Sequence, residues 1–194
     1  MLQVTLDVET KKTFSEVGGY FPDRLGISFV GVNVRDRDGE KGEMKSFFEN
    51  DLPDLFPLLE KAGVVIGYNI DGFDMPALAP YYNGDIEAIP TLDVMDRIKD
   101  SCGHRIKLDS VAKETLGVGK IGDGLDAIKY YTNGQLEKLK KYCIQDVRVT
   151  RDVYDYGIKK GEIKFRNKWG RLIKCPVDFS FTPQRNDGIQ MALV

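Results

Sequence analysis

Runs of apolar and β-branched residues predict the strands in the first part of the chain. Residues 4–8, 26–34 and 44–48 are each rich in valine, isoleucine, phenylalanine or leucine, which is typical of buried strands. A charged turn over residues 36–42 separates the last two. Three consecutive strands with short connections predict an antiparallel meander.

The next segments change to a helical spacing of apolar residues. Residues 52–62 place Leu55, Leu58 and Leu59 on one side of a helix, and Gly63 ends it just before an apolar strand over residues 64–68. A helix between two strands is the crossover connection of a parallel pair. Further helices are predicted around residues 75–81, over 108–116 and from 135 to about 156. We therefore expect an α/β fold with a central mixed sheet, three antiparallel strands followed by parallel strands, flanked by helices.

Composition and charge indicate a boundary between the main domain and a basic segment near the C-terminus. The 194 residues are 42% apolar and carry a net charge of −2, which fits one folded domain but not the strongly basic balance of a simple nucleic-acid binder. Residues 159–174, however, contain seven basic residues and one acidic residue, and two short alternating runs flank Trp169 and Gly170. We expect residues 1–158 to form the main domain and residues 159–194 to form a basic hairpin and tail packed on it.

The cysteines and the N-terminal residues indicate the cellular compartment in which the protein is expected. Cys102, Cys143 and Cys175 are odd in number and form no CxxC pair, which favours small buried or half-buried residues in a reducing compartment over a disulfide framework. The sequence contains no apolar run of membrane-spanning length and no leader pattern before Leu2. A cytoplasmic protein without a membrane partner is therefore expected.

Two acidic residues lie in the first strand. Because side chains alternate along a strand, Asp7 and Glu9 point to the same face. Neighbouring carboxylates repel one another, and a divalent cation relieves that repulsion where such groups converge. Taken alone, a pair of solvated carboxylates at a strand end is the commoner interpretation.

The stretch 67–78 (GYNIDGFDMPAL) supplies further acidic residues after the parallel strand. A turn there delivers Asp74 to the start of a helix that has Pro76 in its first turn. Functional sites collect in the loops after the C-terminal ends of parallel strands. Asp74 is equally well interpreted as a helix N-cap, and Asp71 competes with it as a ligand. Two later carboxylates, Asp93 and Asp96, fit either an outer position around a site or a capping role.

The late helix carries Tyr142 and Asp146 four residues apart, so they share a face. Leu139, Val149 and Val153 lie on the same face, which predicts that it points inward. A buried aspartate is costly unless it is paired or bound to a metal ion, whereas tyrosine is common in protein cores. Asp146 is therefore the more informative residue.

Taken together, the order DxE, GYNIxxFDxP and YxxxD resembles the DEDD superfamily of 3′-to-5′ exonucleases, which have an RNase H-like fold. The chain is similar to the tyrosine subgroup, because the last motif begins at Tyr142 and the histidine subgroup would have histidine where Lys141 stands. Residues 107–120 also resemble a helix of the exonuclease domain in family B DNA polymerases. The resemblance covers roughly residues 4–154.

This resemblance implies a set of metal ligands. Asp7 would bridge two metal ions, Glu9 and Asp146 would hold the ion that activates water, and Asp74 would position the second ion. Oxygen ligands suit Mg²⁺ or Mn²⁺. Tyr142 would orient the attacking water, since a phenol with a pKa near 10 is a poor base at neutral pH.

The expected function is hydrolysis of phosphodiesters at single-stranded DNA or RNA 3′ ends, with a polymerase or another replication or repair protein as a further partner. Asn69 and Phe73 are expected to contact the terminal nucleotide. Lys168 and Trp169 have the make-up of a single-strand contact surface, although a solvated hairpin with its aromatic residues packed inward is an equally good interpretation. The alternative function is a non-catalytic RNase H-like module that binds nucleic acid or a partner. Neither DNA nor RNA is favoured by the sequence.

Overall fold

A computed structural model describes residues 1–36, 38–119 and 124–182 of the chain. Lys120, at the end of the polymerase-like stretch, and residues 183–194 of the expected C-terminal tail lie outside the described residues.

The strands form the mixed sheet that the apolar pattern predicts. Its order is β3-β2-β1-β4-β5, with β1 antiparallel to β2, β2 antiparallel to β3, and β4 parallel to both β1 and β5. The strands span Gln3–Thr10 (β1), Ile27–Arg35 (β2), Glu43–Phe48 (β3), Val64–Gly67 (β4) and Thr91–Asp93 (β5). The predicted antiparallel strands and the fold class are confirmed, and β4 runs parallel to β3 as the crossover predicts, although its hydrogen-bonded neighbours are β1 and β5.

Helices cover both faces of this sheet. They span Leu52–Lys61 (α1), Met75–Leu78 (α2), Val94–Cys102 (α3), Leu108–Leu116 (α4), Gly124–Thr132 (α5) and Leu136–Lys160 (α6). The sequence predictions contain α1, α2, α4 and α6 but omit β5, α3 and α5. β5 has only three residues, too few to show a period. The start of α3 does carry a signal, because the Asp93 side chain caps it by accepting the backbone N–H groups of Met95 and Asp96.

The predicted basic hairpin is present after α6. Its strands span Glu162–Arg166 (β6) and Leu172–Pro176 (β7) and pair antiparallel. One side of the hairpin is apolar, and Ile163 and Phe165 are buried in the same core cluster as residues of β4 and α4. The hairpin therefore packs against α3, α4 and α6, in the core cluster that these helices share with β4.

Two cysteines correct the sequence interpretation. Cys102, at the end of α3, and Cys175, on β7, form a disulfide with a Cα–Cα distance of 6.3 Å. The prediction of no disulfide is wrong for this pair because 73 residues of chain separate the two cysteines, and only the packing of the hairpin against α3 brings them together. Cys143 is free and buried, as predicted.

Close packing fixes α6 against the sheet. A Cβ atom at Gly31 of β2 would lie 3.0 Å from both Cys143 Sγ and Val147 Cγ2, so the missing side chain lets the helix approach β2. At the other end of β2, the buried guanidinium of Arg35 donates two hydrogen bonds of 2.7 Å to the Asp155 carboxylate. The register of α6 relative to the sheet is therefore fixed at two points.

The described part of the chain includes no helix that is both long and apolar enough to traverse a lipid bilayer.

Candidate metal centre

The end of β1 presents two carboxylates on one side of the sheet. Glu9 is buried at 7% exposure, and Asp7 is half-buried. The Asp7 Oδ2 atom is buried and has no hydrogen-bond partner among the residues that the structure describes. A buried carboxylate oxygen without a partner is costly, so Oδ2 is a natural point of attachment for a cation.

The turn after β4 brings Asp74 to these two carboxylates. Asn69 begins the turn in a left-handed conformation (φ 68°), and Asp93 accepts the N–H groups of Asn69 at 2.9 Å and Asp71 at 3.3 Å. A π-helical turn, Ile70–Asp74, then places Asp74 Oδ1 2.9 Å from the backbone nitrogen of Val8. Asp74 therefore uses its side chain to bond β1 and does not cap α2.

The competing carboxylates lie elsewhere. Asp71 is exposed and lines a separate cavity together with Asp23. Asp93 holds the turn and caps α3, and Asp96 lies 3.5 Å from the ammonium group of Lys99. The structure therefore brings Asp74 to the β1 carboxylates, while Asp93 and Asp96 take the capping and solvated roles that the sequence left open.

The third element of the site is α6, whose inward face carries Tyr142 and Asp146. Both residues line a cavity of about 360 Å³ that Asp7 and Glu9 also line. The Tyr142 hydroxyl is close enough to the Asp146 carboxylate for each group to affect the pKa of the other. The neighbouring face residues Leu139, Val149 and Val153 are buried, as the helical spacing predicts.

The proximity of the carboxylates perturbs their ionisation. Burial, together with the negative charge of Asp146, raises the pKa of Asp7 to about 7. Burial raises the pKa of Asp146 to about 6, although the hydrogen bond from Tyr142 opposes the shift. For Glu9 and Asp74, burial and then the charge of Asp7 raise the pKa well above the ordinary range. The protein by itself therefore does not hold all four groups ionised at neutral pH, and a cation would be needed to do so.

The family comparison identifies the scaffold that holds these groups. The model of the RNase H superfamily matches residues 4–158, about four-fifths of the chain. The chain belongs to the RNase H superfamily. A comparison with curated proteins found no match.

Solved structures with the same fold include a family B DNA polymerase from the hyperthermophilic archaeon Pyrobaculum calidifontis. It is 19% identical, with a TM-score of 0.61 over 81% of this chain, and this RNase H-superfamily chain spans 24% of the length of the polymerase. The zinc-bound ExoI–ssDNA complex of E. coli is 13% identical, with a TM-score of 0.48 over 82% of this chain and 41% of ExoI. At 19% identity, the similarity to the polymerase shows the fold alone.

The donor atoms of this RNase H-superfamily site fit a hard divalent cation. The four carboxylates offer oxygen ligands only, which Mg²⁺ and Mn²⁺ prefer. One softer atom, Cys143 Sγ, lies within 4.8 Å of ligand atoms of Asp7 and Glu9. Its thiol donates to the Asp7 carbonyl oxygen at 3.4 Å, and burial together with the charge of Asp7 raises the pKa of Cys143. The thiol therefore stays protonated and supports β1.

Cys143 is also the neighbour that sequence reasoning missed. It follows Tyr142 directly in the last motif and lies one residue off the helix face on which that reasoning concentrated. Sequence reasoning also missed Phe14, because no motif marks it. This residue lines the same cavity from the long β1–β2 connection.

The expected substrate contacts lie in different places. Phe73 lines the carboxylate cavity, and Asn69 lies in the preceding turn with its side chain against Gly72. Lys168 and Trp169 are exposed at the hairpin turn and line a separate groove. The structure brings Phe73, but not the hairpin residues, next to the carboxylates.

Proposed function

We propose that this chain is a metal-dependent 3′-to-5′ exonuclease that hydrolyses the terminal phosphodiester of single-stranded nucleic acid. The observation that carries the proposal is the convergence of four carboxylates from β1, the turn after β4 and α6. No lysine or arginine among the described residues forms an ion pair with any of them. Such an arrangement is unfavourable unless cations bind, and two-metal sites of this kind are typical of nucleases.

Each carboxylate would have its own role in metal binding, set by its position. Asp7, whose Oδ2 has no protein partner in the described structure, is the candidate for bridging two ions. Glu9 and Asp146 would complete one ion site and Asp74 the other. Bound Mg²⁺ or Mn²⁺ would supply an activated water and stabilise the leaving oxygen.

Tyr142 would act as a hydrogen-bond donor. Burial and the charge of Asp146 raise its pKa, so the phenol stays protonated at any physiological pH. A protonated hydroxyl at the mouth of the cavity can hold the attacking water in line with the phosphorus atom, but it cannot remove a proton. This role agrees with the one that the motif resemblance implies.

The 3′ polarity and the single-stranded substrate are supported by two observations. The three ordered motifs resemble the DEDD superfamily of 3′-to-5′ exonucleases, residues 107–120 resemble a helix of the family B polymerase exonuclease domain, and a family B polymerase shares the fold. Phe73 lines the cavity and offers an aromatic face for a terminal base. A nuclease function therefore agrees with both the fold and the site.

The test is digestion of 5′-labelled single-stranded DNA and RNA in Mg²⁺ or Mn²⁺, with the products resolved by length. We expect a ladder that shortens one nucleotide at a time, loss of activity in EDTA, and protection by a phosphorothioate linkage at the 3′ end. Asp7→Asn and Asp146→Asn should abolish cleavage while circular dichroism and the melting profile show a folded protein.

The other outcomes identify the competing functions. A circular single strand has no 3′ end, so its cleavage would show that the protein is an endonuclease and not an exonuclease. A folded protein that binds single strands but cleaves neither DNA nor RNA with either metal would instead be a non-catalytic binding module. Full activity in EDTA would exclude the metal mechanism.

A further inference from the structure

A groove beside the hairpin has no role in the chemistry described above. It has a volume of about 470 Å³ and lies between the segment that precedes α4 and the turn of the β6–β7 hairpin. We call it the hairpin groove, and its principal lining residues are His104, Arg105, Lys107, Phe165, Lys168 and Trp169.

The two walls of the hairpin groove are held rigidly together. The Cys102–Cys175 disulfide joins the wall before α4 to β7. The Thr115 hydroxyl bonds both the backbone N–H and the carbonyl of Lys164, at 2.9 and 3.0 Å, which fixes β6 on α4. Binding there would therefore require little ordering of the protein.

The rim of the groove is basic. Arg105, Lys107 and Lys168 are exposed and have no carboxylate partner among the described residues, whereas Arg166 is paired with Glu114 at 3.0 Å. Unpaired cations along a groove attract a phosphate backbone and release its counterions. The charge of the groove therefore selects a polyanionic ligand.

Trp169 supplies an apolar surface within this basic rim. Its side chain is 72% exposed, and the Lys168 ammonium lies 4.5 Å from the centre of the indole ring. Asn167 Oδ1 accepts the N–H groups of Trp169 at 3.0 Å and Arg171 at 3.1 Å, so the turn that displays the ring is ordered. A fixed, exposed aromatic ring next to cations is the arrangement on which unpaired bases stack.

The groove wall is attached to elements that carry the metal centre. The Tyr68 hydroxyl, just after β4, donates to the Ile106 carbonyl at 2.6 Å, which attaches the groove wall to the turn that leads to Asp74. The helix that follows the groove wall, α4, contacts α6, which carries Tyr142 and Asp146. The groove and the cavity therefore lie on elements that contact one another.

We propose that the hairpin groove binds the single-stranded nucleic acid upstream of its 3′ end, with phosphates on Arg105 and Lys107 and a base on Trp169. This inference rests on the proposed function for the direction of the strand but not for the binding itself. The groove is a second contact region, apart from the cavity that takes the terminal nucleotide. Longer strands should consequently bind more tightly than short ones.

The first experiment uses Trp169 as a reporter, because it is the only tryptophan in the chain. Intrinsic fluorescence is followed in EDTA while unlabelled single strands of 3 to 15 nucleotides are added. We expect strong quenching by the longer strands and little by the 3-mer or by a blunt duplex. Unchanged emission under conditions where anisotropy of a labelled 15-mer shows saturation would overturn the proposal, as would equal quenching by the duplex.

The second experiment measures affinity with labelled 15-mers of DNA and RNA in variants. Trp169→Ala should weaken binding roughly 5- to 100-fold, the range found for loss of one stacked base. Arg105→Glu combined with Lys107→Glu should weaken binding further and reduce its salt dependence. The matched control is Lys61→Glu, an exposed charge reversal at the end of α1, which packs in a different core cluster from the hairpin. Equal losses in the control and in the groove variants would contradict the groove as the site.

These results separate the inference from the proposed function. If no nuclease activity is found but single strands quench Trp169, the hairpin groove stands and the exonuclease proposal fails. If 15-mers are degraded equally well by the parent protein and by both groove variants, with unchanged KM, the exonuclease stands and the groove proposal fails.

Discussion

Asp74 Oδ1 accepts the backbone N–H of Val8 at 2.9 Å, across 66 residues of sequence. Val8 lies between Asp7 and Glu9 on β1, so this bond places the third carboxylate directly behind the first two. The bond also explains why Asp74 stays buried at 4% exposure without a cationic partner among the described residues. This hydrogen bond thus attaches the third carboxylate to the strand that carries the first two.

The first prediction compares Asp74 with its competitor. Asp74→Asn keeps an oxygen that can accept the Val8 N–H but removes the charge, so the fold should persist while nuclease activity falls by about 100-fold or more, as is usual when a charged group is removed from a reaction centre. Asp71→Asn is the matched control, because Asp71 is exposed and three residues away. Equal loss in both variants would argue against Asp74 as the ligand. Initial rates on a labelled single strand decide this.

The second prediction concerns pH in the absence of metal. The folded-state pKa of Asp7 is about 7, against 3.8 when unfolded, so the folded state binds more protons in this interval. Stability from this group is therefore greatest below about pH 4 and is lost as the pH rises through 7. Thermal melts in EDTA should show a decrease from pH 5 to pH 8.

The same reasoning predicts the effect of metal. Mg²⁺ or Mn²⁺ should raise the melting temperature more at pH 8, where the carboxylates are ionised or easily become so, than at pH 5. Asp7→Asn removes one of the coupled carboxylates, so its melting temperature should depend less on both pH and metal. A metal-induced increase in Tm that is identical at the two pH values would contradict a metal site built on these carboxylates.

The third prediction tests Tyr142. Tyr142→Phe removes the hydroxyl beside Asp146 and should lower kcat about 10- to 100-fold, the range typical of groups that orient a site. Because the raised pKa keeps the phenol protonated, the pH profile should keep its shape. Tyr156→Phe is the control on the same helix, about 21 Å along its axis at 1.5 Å per residue. Loss of the alkaline or acidic limb of the profile in Tyr142→Phe would instead indicate proton transfer by the tyrosine.

The fourth prediction concerns the packing of α6 against β2. Gly31→Ala would place a Cβ atom 3.0 Å from Cys143 Sγ and Val147 Cγ2, so these side chains on the packed face of α6 must move by a few tenths of an ångström. We expect a loss of about 1–3 kcal/mol in the free energy of unfolding, the usual cost of overpacking, together with reduced activity because Asp146 moves. Gly119→Ala is the control, since its Cβ would meet no atom within 4 Å. Denaturant unfolding of both variants, with rates measured under folding conditions, checks the result.

The fifth prediction concerns the disulfide. Reduction, or Cys102→Ser with Cys175→Ser, should lower the free energy of unfolding by about 2–4 kcal/mol, since the bond closes a long loop. The metal centre lies on other elements, so cleavage of a short strand confined to the cavity should change little. An unchanged denaturation midpoint with and without reductant would show that the bond does not form.

Much of the fold could be predicted because local patterns of apolar residues indicate its strands and helices. The apolar β1, β2 and β3 segments, the crossover helix α1 and the inward face of α6 each have a period that a single stretch of sequence reveals. The short β5 has no such period. Asp93 caps α3, which is one of the two roles that the sequence allows for it.

The sequence by itself determined which residue types stand in which order: a DxE pair on a strand, an aspartate after the next parallel strand, and a tyrosine and an aspartate one helical turn apart. The motif resemblance selected Asp74 over Asp71, but only the tertiary structure shows why Asp74 reaches β1, since its side chain accepts a hydrogen bond from Val8. The tertiary structure also decided the Cys102–Cys175 pairing, the burial of Phe165 and the exposure of Trp169. These features arise from contacts between segments distant in sequence, and local periodicity carries no information about such contacts.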